Sequence, residues 1–236
     1  LGFPSLIAQV SSGIVMITFN AIILRLEGNT GVAAYGVIAN ISLVIVAIFT
    51  GIAQGVQPLI STFYGFGDDK QARMVLRYAL VTMLTISCAM YLLICMFARP
   101  ITAVFNSENN MELQRIAVIG LKLYFISTSF VGYNIILANF FTSIEKVLPA
   151  HILSVLRGLV LIVPLVFFMS ALWGMTGVWL TYPVTEMVTA LLGFVIYRNY
   201  KIQNKRKEKT DHEYCAAKSI KYSSSCVNVN VPLQIS

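Results

Sequence analysis

Apolar residues in this chain come in long unbroken runs, not in the alternation of half-buried strands. A helix needs about 20 apolar residues to cross a bilayer. Six such runs follow one another, at roughly residues 4–24, 33–63, 78–98, 113–141, 151–170 and 173–197. The polar breaks between them differ in character. Residues 25–32 hold Gly28, Asn29 and Gly31, and residues 172–177 are short and glycine-containing; both predict tight turns. Residues 64–77 carry Gly65, Gly67, Asp68, Asp69, Lys70, Arg73 and Arg77. Within them, Ala72, Val75 and Leu76 lie among cations, which predicts an interfacial helix over 70–77. Residues 99–112 hold Pro100, Asn106, Asn109 and Asn110 and predict a short surface helix and loop. The pattern therefore predicts an all-α membrane protein with six transmembrane helices in one domain, residues 1–203. Residues 204–236 are charged, then rich in Ser and Asn, and predict a disordered tail.

Composition sharpens this picture. The chain is 57% hydrophobic and only 11% charged, against about 25% charged in soluble domains, and its mean hydropathy is +0.77. So few charges cannot cover a water-facing surface. The net charge of +7 would suit a nucleic-acid partner if it formed a patch, but it does not. Lys70, Arg73, Arg77, Lys146, Arg157 and the Lys/Arg-rich tail fall on one side of the predicted membrane, and Arg25, Arg99 and Arg115 on the other. By the positive-inside tendency the tail is cytoplasmic in an inner or plasma membrane, and the partner of the basic residues is the lipid bilayer, not nucleic acid. Cys88 and Cys95 share one apolar helix, Cys215 and Cys226 lie in the tail, and none has metal-ligand spacing. The chain opens on Leu1 without a leader, directly into an apolar run, which suggests an internal piece of a longer protein.

The candidate chemistry lies in polar residues inside the apolar runs. Gly51-Ile52-Ala53-Gln54-Gly55-Val56-Gln57-Pro58 ends the second run. Gln54 and Gln57 are candidate cavity-lining amides, and Gly51 and Gly55 suit close helix packing. Asn20, Asn134 and Asn139 are further amides within spans, and Tyr133 beside Asn134 would add an aromatic wall suited to cations. Each amide is equally suited to interhelical hydrogen bonding. Glu186 sits mid-run, three residues after Pro183. A carboxylate at the bilayer centre costs roughly 2.5–3.5 kcal/mol, so it must face protein or water. It is a candidate for ion or charge coupling, or else a structural partner of Lys122 or Arg157. Lys122 is the second candidate for charge coupling; its long stem also allows it to snorkel, which is the expected fate of Arg157. Pro58, Pro164 and Pro183 are candidate helix-bending points. No nucleophile–base pair, phosphate loop or metal spacing predicts catalysis or a cofactor.

Four stretches resemble the multidrug and toxic compound extrusion (MATE) family, in its bacterial exporter branch. They are Gly2-Phe3-Pro4-Ser5; the 51–61 segment with Tyr64-Gly65 and the 73–77 region; Asn139-Phe140-Phe141-Thr142-Ser143-Ile144-Glu145-Lys146; and Leu153-Ser154-Val155-Leu156-Arg157 leading to Ile162-Val163-Pro164-Leu165. The resemblance covers about residues 2–197. It implies the C-terminal six-helix lobe of a twelve-helix transporter, whose partner would be the N-terminal lobe. It further implies export of amphipathic, often cationic drugs by alternating access, coupled to Na+ or H+. One departure stands out. Some branches carry an acidic ion ligand in the first helix of this lobe, where residues 8–13 have no carboxylate. Two rivals stay open: a flippase for lipid-linked saccharides, and a membrane module that does not transport.

Overall fold

The computed structural model describes the backbone of residues 2–106 and 109–226, and side chains from residue 10 to residue 203 except 12, 107, 108 and 147. Among these residues the secondary structure is entirely helical. The order is α1 (Gly2–Gly65), α2 (Asp69–Phe105), α3 (Met111–Tyr124), a 3-10 turn (Phe125–Ser127), α4 (Thr128–Ser143), α5 (Val147–Val155), a π-helical turn (Leu156–Val160) and α6 (Ile162–Cys226). Four stretches are long and apolar enough to cross a membrane: Gly13–Gly65, Asp69–Phe105, Met111–Ser143 and Leu148–Gln203. The chain divides into two compact units, Leu1–Gly193 and Phe194–Ser236.

Two of the long stretches are broken by a glycine. Gly28 (φ 61°, ψ −154°) interrupts α1, and Gly174 (φ 56°, ψ −134°) interrupts α6. Both lie in predicted turns. Residues 16 apart in a straight helix stand about 24 Å apart, yet the rings of Phe19 and Tyr35 stack at 5.6 Å. The chain therefore doubles back at Gly28. Only a residue without Cβ enters this conformation freely. Gly28→Val is expected to lower stability by about 1–2 kcal/mol, although no atom lies within 4 Å of an added Cβ there. Unfolding in detergent with increasing SDS checks this; an unchanged midpoint would mean the turn is not conformationally demanding.

Elsewhere the helices depart from the sequence pattern. Residues 70–77 are not a separate interfacial helix, because α2 runs unbroken from Asp69. The Asp68 carboxylate caps it, accepting from the Gln71 N–H at 3.0 Å. Residues 99–105 are not a surface helix either: α2 continues through Pro100 to Phe105. Just past Pro100 the buried Thr102 hydroxyl donates to the carbonyls of Ala98 and Arg99, both at 2.9 Å. The link to α3 is an amide knot. Asn106 donates to the Asn110 carbonyl and accepts from its N–H, both at 2.9 Å, and Gln114 donates to the Arg99 carbonyl at 2.9 Å. Helix α6 continues to Cys226. Lys, Arg, Glu and Ala between residues 205 and 217 favour helix intrinsically, even without an apolar stripe. Residues 227–236 lie outside the described residues.

The fourth apolar run is not one smooth helix. Its centre tightens to a 3-10 turn at Phe125–Ser127. There the Ser127 hydroxyl donates to the Tyr124 carbonyl at 2.6 Å and the Thr128 hydroxyl to the Phe125 carbonyl at 2.5 Å. Such back-bonding competes with the α-helical ladder and bends it. The core of unit 1 packs around this break: Trp179, Phe19, Phe49, Phe140, Phe141 and Leu121 are fully buried. The helices cross closely where α4 meets α2, since a Cβ on Gly132 would lie 2.6 Å from Met83 Cγ and 3.0 Å from Ser87 Oγ. Large apolar side chains such as Ile17, Leu43, Met96 and Phe168 point outward, as a lipid-facing surface requires.

Candidate functional site

The polar residues of unit 1 gather around Glu186. This carboxylate is 2% exposed, in a row of buried residues on α6 that includes Thr181, Thr185 and Thr189. Each threonine hydroxyl satisfies itself on its own helix, donating to Gly177, Thr181 and Thr185 carbonyls at 2.9, 2.8 and 2.9 Å. Glu186 cannot do so, because a carboxylate only accepts. Its partners come from other helices. Asn134 of α4 donates from Nδ2 to Glu186 Oε2 at 2.7 Å and to the Glu186 carbonyl at 3.0 Å. Arg157 brings Nε to 3.7 Å from Glu186 Oε1.

The two partners hold the carboxylate differently. The Asn134 contact is a short hydrogen bond between two buried groups. The Arg157 contact is longer than a hydrogen bond, and the arginine side chain stays 25% exposed. Arg157 therefore does not simply snorkel away, as the sequence predicts, but turns towards Glu186. The π-turn supplies a reason. Leu161 N–H bonds the Leu156 carbonyl at 3.0 Å, one residue further back than in an α-helix, which changes the helical register around Arg157. Pro164 follows at once and has no N–H to offer the Val160 carbonyl, so the α-helical ladder is already interrupted here.

Aromatic rings complete the surroundings. Tyr182 precedes Glu186 by one turn on α6, the spacing at which helical side chains are neighbours. The Tyr182 ring lies flat on Tyr124, with centroids 4.5 Å apart and planes 3° from parallel. Tyr35 stacks between Phe19 and Trp179 at 5.6 and 6.3 Å. A small void lined by Ser42, Tyr124, Ser127, Thr128, Val131 and Tyr182, among others, sits at the 3-10 break and measures about 10 Å³. It has room for no more than a single water. Asn134 Oδ1 is buried and finds no hydrogen-bond donor among the described residues.

The remaining candidates are scattered around this centre. Asn139 donates to the Ala53 carbonyl of α1 at 2.5 Å and so ties α4 to the glutamine segment. Asn20 donates to the Met16 carbonyl of its own helix at 2.9 Å. Tyr133 is half-buried, Gln54 is exposed and Gln57 half-buried. Gly51 and Gly55 do not serve close packing here, because both are exposed and an added Cβ would meet nothing within 4 Å. With Gln54 and Pro58 they form a small, polar stripe at helical spacing on the outer face of α1. Lys122 is exposed in the last turn of α3, where a cation complements the helix dipole, and the ion partner of Glu186 is Arg157. Pro58 and Pro183 lie inside continuous helix, whereas the sharp breaks fall at Gly28 and Gly174. Neither the π-turn nor the Tyr124–Tyr182 stack is predicted from the sequence. Ser127-Thr128 in mid-run and Pro164 after Gly158 are the signals that point to the two irregular turns.

Known proteins match most of this chain. "Multidrug export protein MepA" of Staphylococcus saprophyticus is 26% identical over 198 residues, covering 83% of this chain and 42% of the relative. The protein of the same name from Staphylococcus haemolyticus is 24% identical over 199 residues, covering 84% and 43%. The chain thus spans less than half the length of these relatives. Among solved structures, an inward-facing multidrug resistance MATE family transporter of the MOP superfamily aligns with TM-score 0.80 and 23% identity, over 85% of this chain and 46% of that one. An outward-facing one aligns with TM-score 0.78 and 22% identity, over 85% and 45%. The family model MatE matches residues 4–168, well over half of the sequence, and the chain belongs to the MatE family of membrane transporters.

Proposed function

We propose that this chain is the C-terminal six-helix lobe of a twelve-helix exporter, with α1 and α6 each counting as two spans divided at Gly28 and Gly174. The exporter moves amphipathic, often cationic drugs out across the inner or plasma membrane, in exchange for Na+ or H+, by alternating access against an N-terminal lobe. The tail lies in the cytoplasm. The observation that carries this reading is a carboxylate, 2% exposed, held by Asn134 and Arg157 and flanked by tyrosines inside helices apolar enough to cross a membrane. An intramembrane carboxylate is costly and earns its place through ion or charge handling. The outward stripe of Gly51, Gln54, Gly55 and Pro58 supports the cavity wall, because small and polar residues on an otherwise apolar outer face suit another protein lobe or water better than lipid. The names of the relatives support drug export. Similar agreement with inward- and outward-facing transporter folds supports a lobe that pivots as a unit.

The test is transport by the complete gene product in proteoliposomes. Ethidium should move when a Na+ or H+ gradient is imposed, and Glu186→Gln should slow it at least about tenfold, equivalent to about 1.4 kcal/mol. Absence of gradient-driven movement of ethidium and related cations would end the exporter reading. Normal transport by Glu186→Gln would remove Glu186 from it.

A further inference from the structure

We infer that Arg157 is a tethered resident cation of Glu186, one that exported monocations must displace to reach the carboxylate; this rests on the exporter reading and adds a specificity-determining residue to it. Three observations lead there. First, the two charges are unequal in freedom. Glu186 is 2% exposed and fastened through Oε2 and its own carbonyl to Asn134. Arg157 is 25% exposed and reaches Oε1 only at 3.7 Å. The anion is fixed, while the cation is only partly covered by the described residues. Second, Arg157 stands in a π-turn followed by Pro164, where the helical ladder is already irregular. A local adjustment there disrupts fewer α-helical bonds than one in regular helix, and π-turns recur at sites that move. Third, Tyr182 stands one helical turn before Glu186 and stacks on Tyr124, and aromatic faces attract an organic cation but not an anion.

Exchange is energetically reasonable where simple rupture is not. A buried carboxylate left without its cation is strongly unfavourable. Replacing one cation by another keeps it compensated at every stage. The void beside Tyr182, at about 10 Å³, is far too small for an organic cation, and the partly exposed side of Arg157 is the approach this inference assigns to cargo. The expected class is an aromatic or otherwise apolar monocation, since a dication would leave one charge without a partner. A neutral drug gains nothing from the exchange.

The decisive measurement is equilibrium binding of tetraphenylphosphonium to the purified complete protein, compared among wild type, Arg157→Gln, Arg157→Lys, Glu186→Gln and the double variant Arg157→Gln/Glu186→Gln. Arg157→Gln should bind about tenfold more tightly than wild type, and Arg157→Lys, which restores a resident cation, within about threefold of it. Glu186→Gln should bind weakly, and adding Arg157→Gln should then change nothing. Affinity of an uncharged aromatic analogue should be the same in all. Equal or weaker tetraphenylphosphonium binding by Arg157→Gln, while the wild type still exports ethidium, overturns the inference and leaves the exporter standing. A tight site in Arg157→Gln that Glu186→Gln abolishes, in a protein that moves nothing across the membrane, removes the exporter and with it the claim about exported cargo, and leaves only the exchange of Arg157 for a bound monocation. No binding in any variant overturns the inference, and ethidium transport then decides the exporter separately.

Discussion

Arg157→Ala is expected to destabilise the protein by about 3 kcal/mol, and Glu186→Gln by only about 1 kcal/mol, although both break the same ion pair. The asymmetry follows from burial. Without Arg157, a carboxylate that is 2% exposed is left in an apolar interior without a cationic partner. That cost sits at the low end for a broken buried pair because the 2.7 Å bond from Asn134 survives. In Glu186→Gln the new amide oxygen still accepts from Asn134, and the arginine side chain, already 25% exposed, is not enclosed as the carboxylate is. SDS titration of the protein in mixed micelles, followed by circular dichroism, compares the two midpoints. Should Glu186→Gln prove the more damaging, the carboxylate would be the exposed partner and the burial pattern here would be wrong.

Gly177→Ala is expected to cost about 3 kcal/mol or more, above the usual range for one inserted methyl group. Its Cβ would fall onto the Met169 carbonyl across the turn at Gly174. Backbone cannot rotate away as a side chain can, so the turn itself must open. The consequence reaches the site, because Gly177 also accepts the first hydroxyl bond of the Thr181, Thr185, Thr189 ladder that leads past Glu186. Gly51→Ala is the matched control. Nothing lies within 4 Å of its added Cβ, and alanine should gain about 0.5–1 kcal/mol in helix propensity. Monodispersity after detergent extraction and the SDS midpoint check both. A Gly177→Ala protein as stable as wild type would mean the turn has slack that the packing does not show.

Much of the architecture is legible in the sequence for a simple reason. Bilayer thickness imposes a length on every apolar run, and a reversal between runs needs residues such as Gly28 and Gly174 that tolerate positive φ. The ends of α2 are not legible, because Lys70, Arg73 and Pro100 read as boundary markers. In the structure Asp68 caps the helix before them and Thr102 bonds back just beyond the proline, so the helix continues across both. At the site, Glu186 and Asn134 stand out because polar groups in apolar runs demand partners. Which partner each finds depends on helix rotation. The choice between Lys122 and Arg157 turns on a π-turn of one extra residue, which hydrophobic periodicity does not resolve. Gly51 and Gly55 mislead for the opposite reason: composition marks them as contact residues, yet an added Cβ at either meets nothing within 4 Å.

The bond from Asn139 to the Ala53 carbonyl joins positions 86 residues apart in sequence. It acts as a rivet between α4 and the glutamine-bearing half of α1. Any tilt of that half-helix is then transmitted to α4, and through Asn134 to Glu186, as in a crank with one fixed pin. On the exporter reading, Gln54 and the buried carboxylate thus belong to one moving part. If the exporter reading holds, a pair of spin labels on the exposed Thr62 and Thr142 should report a constant separation while the complete protein cycles.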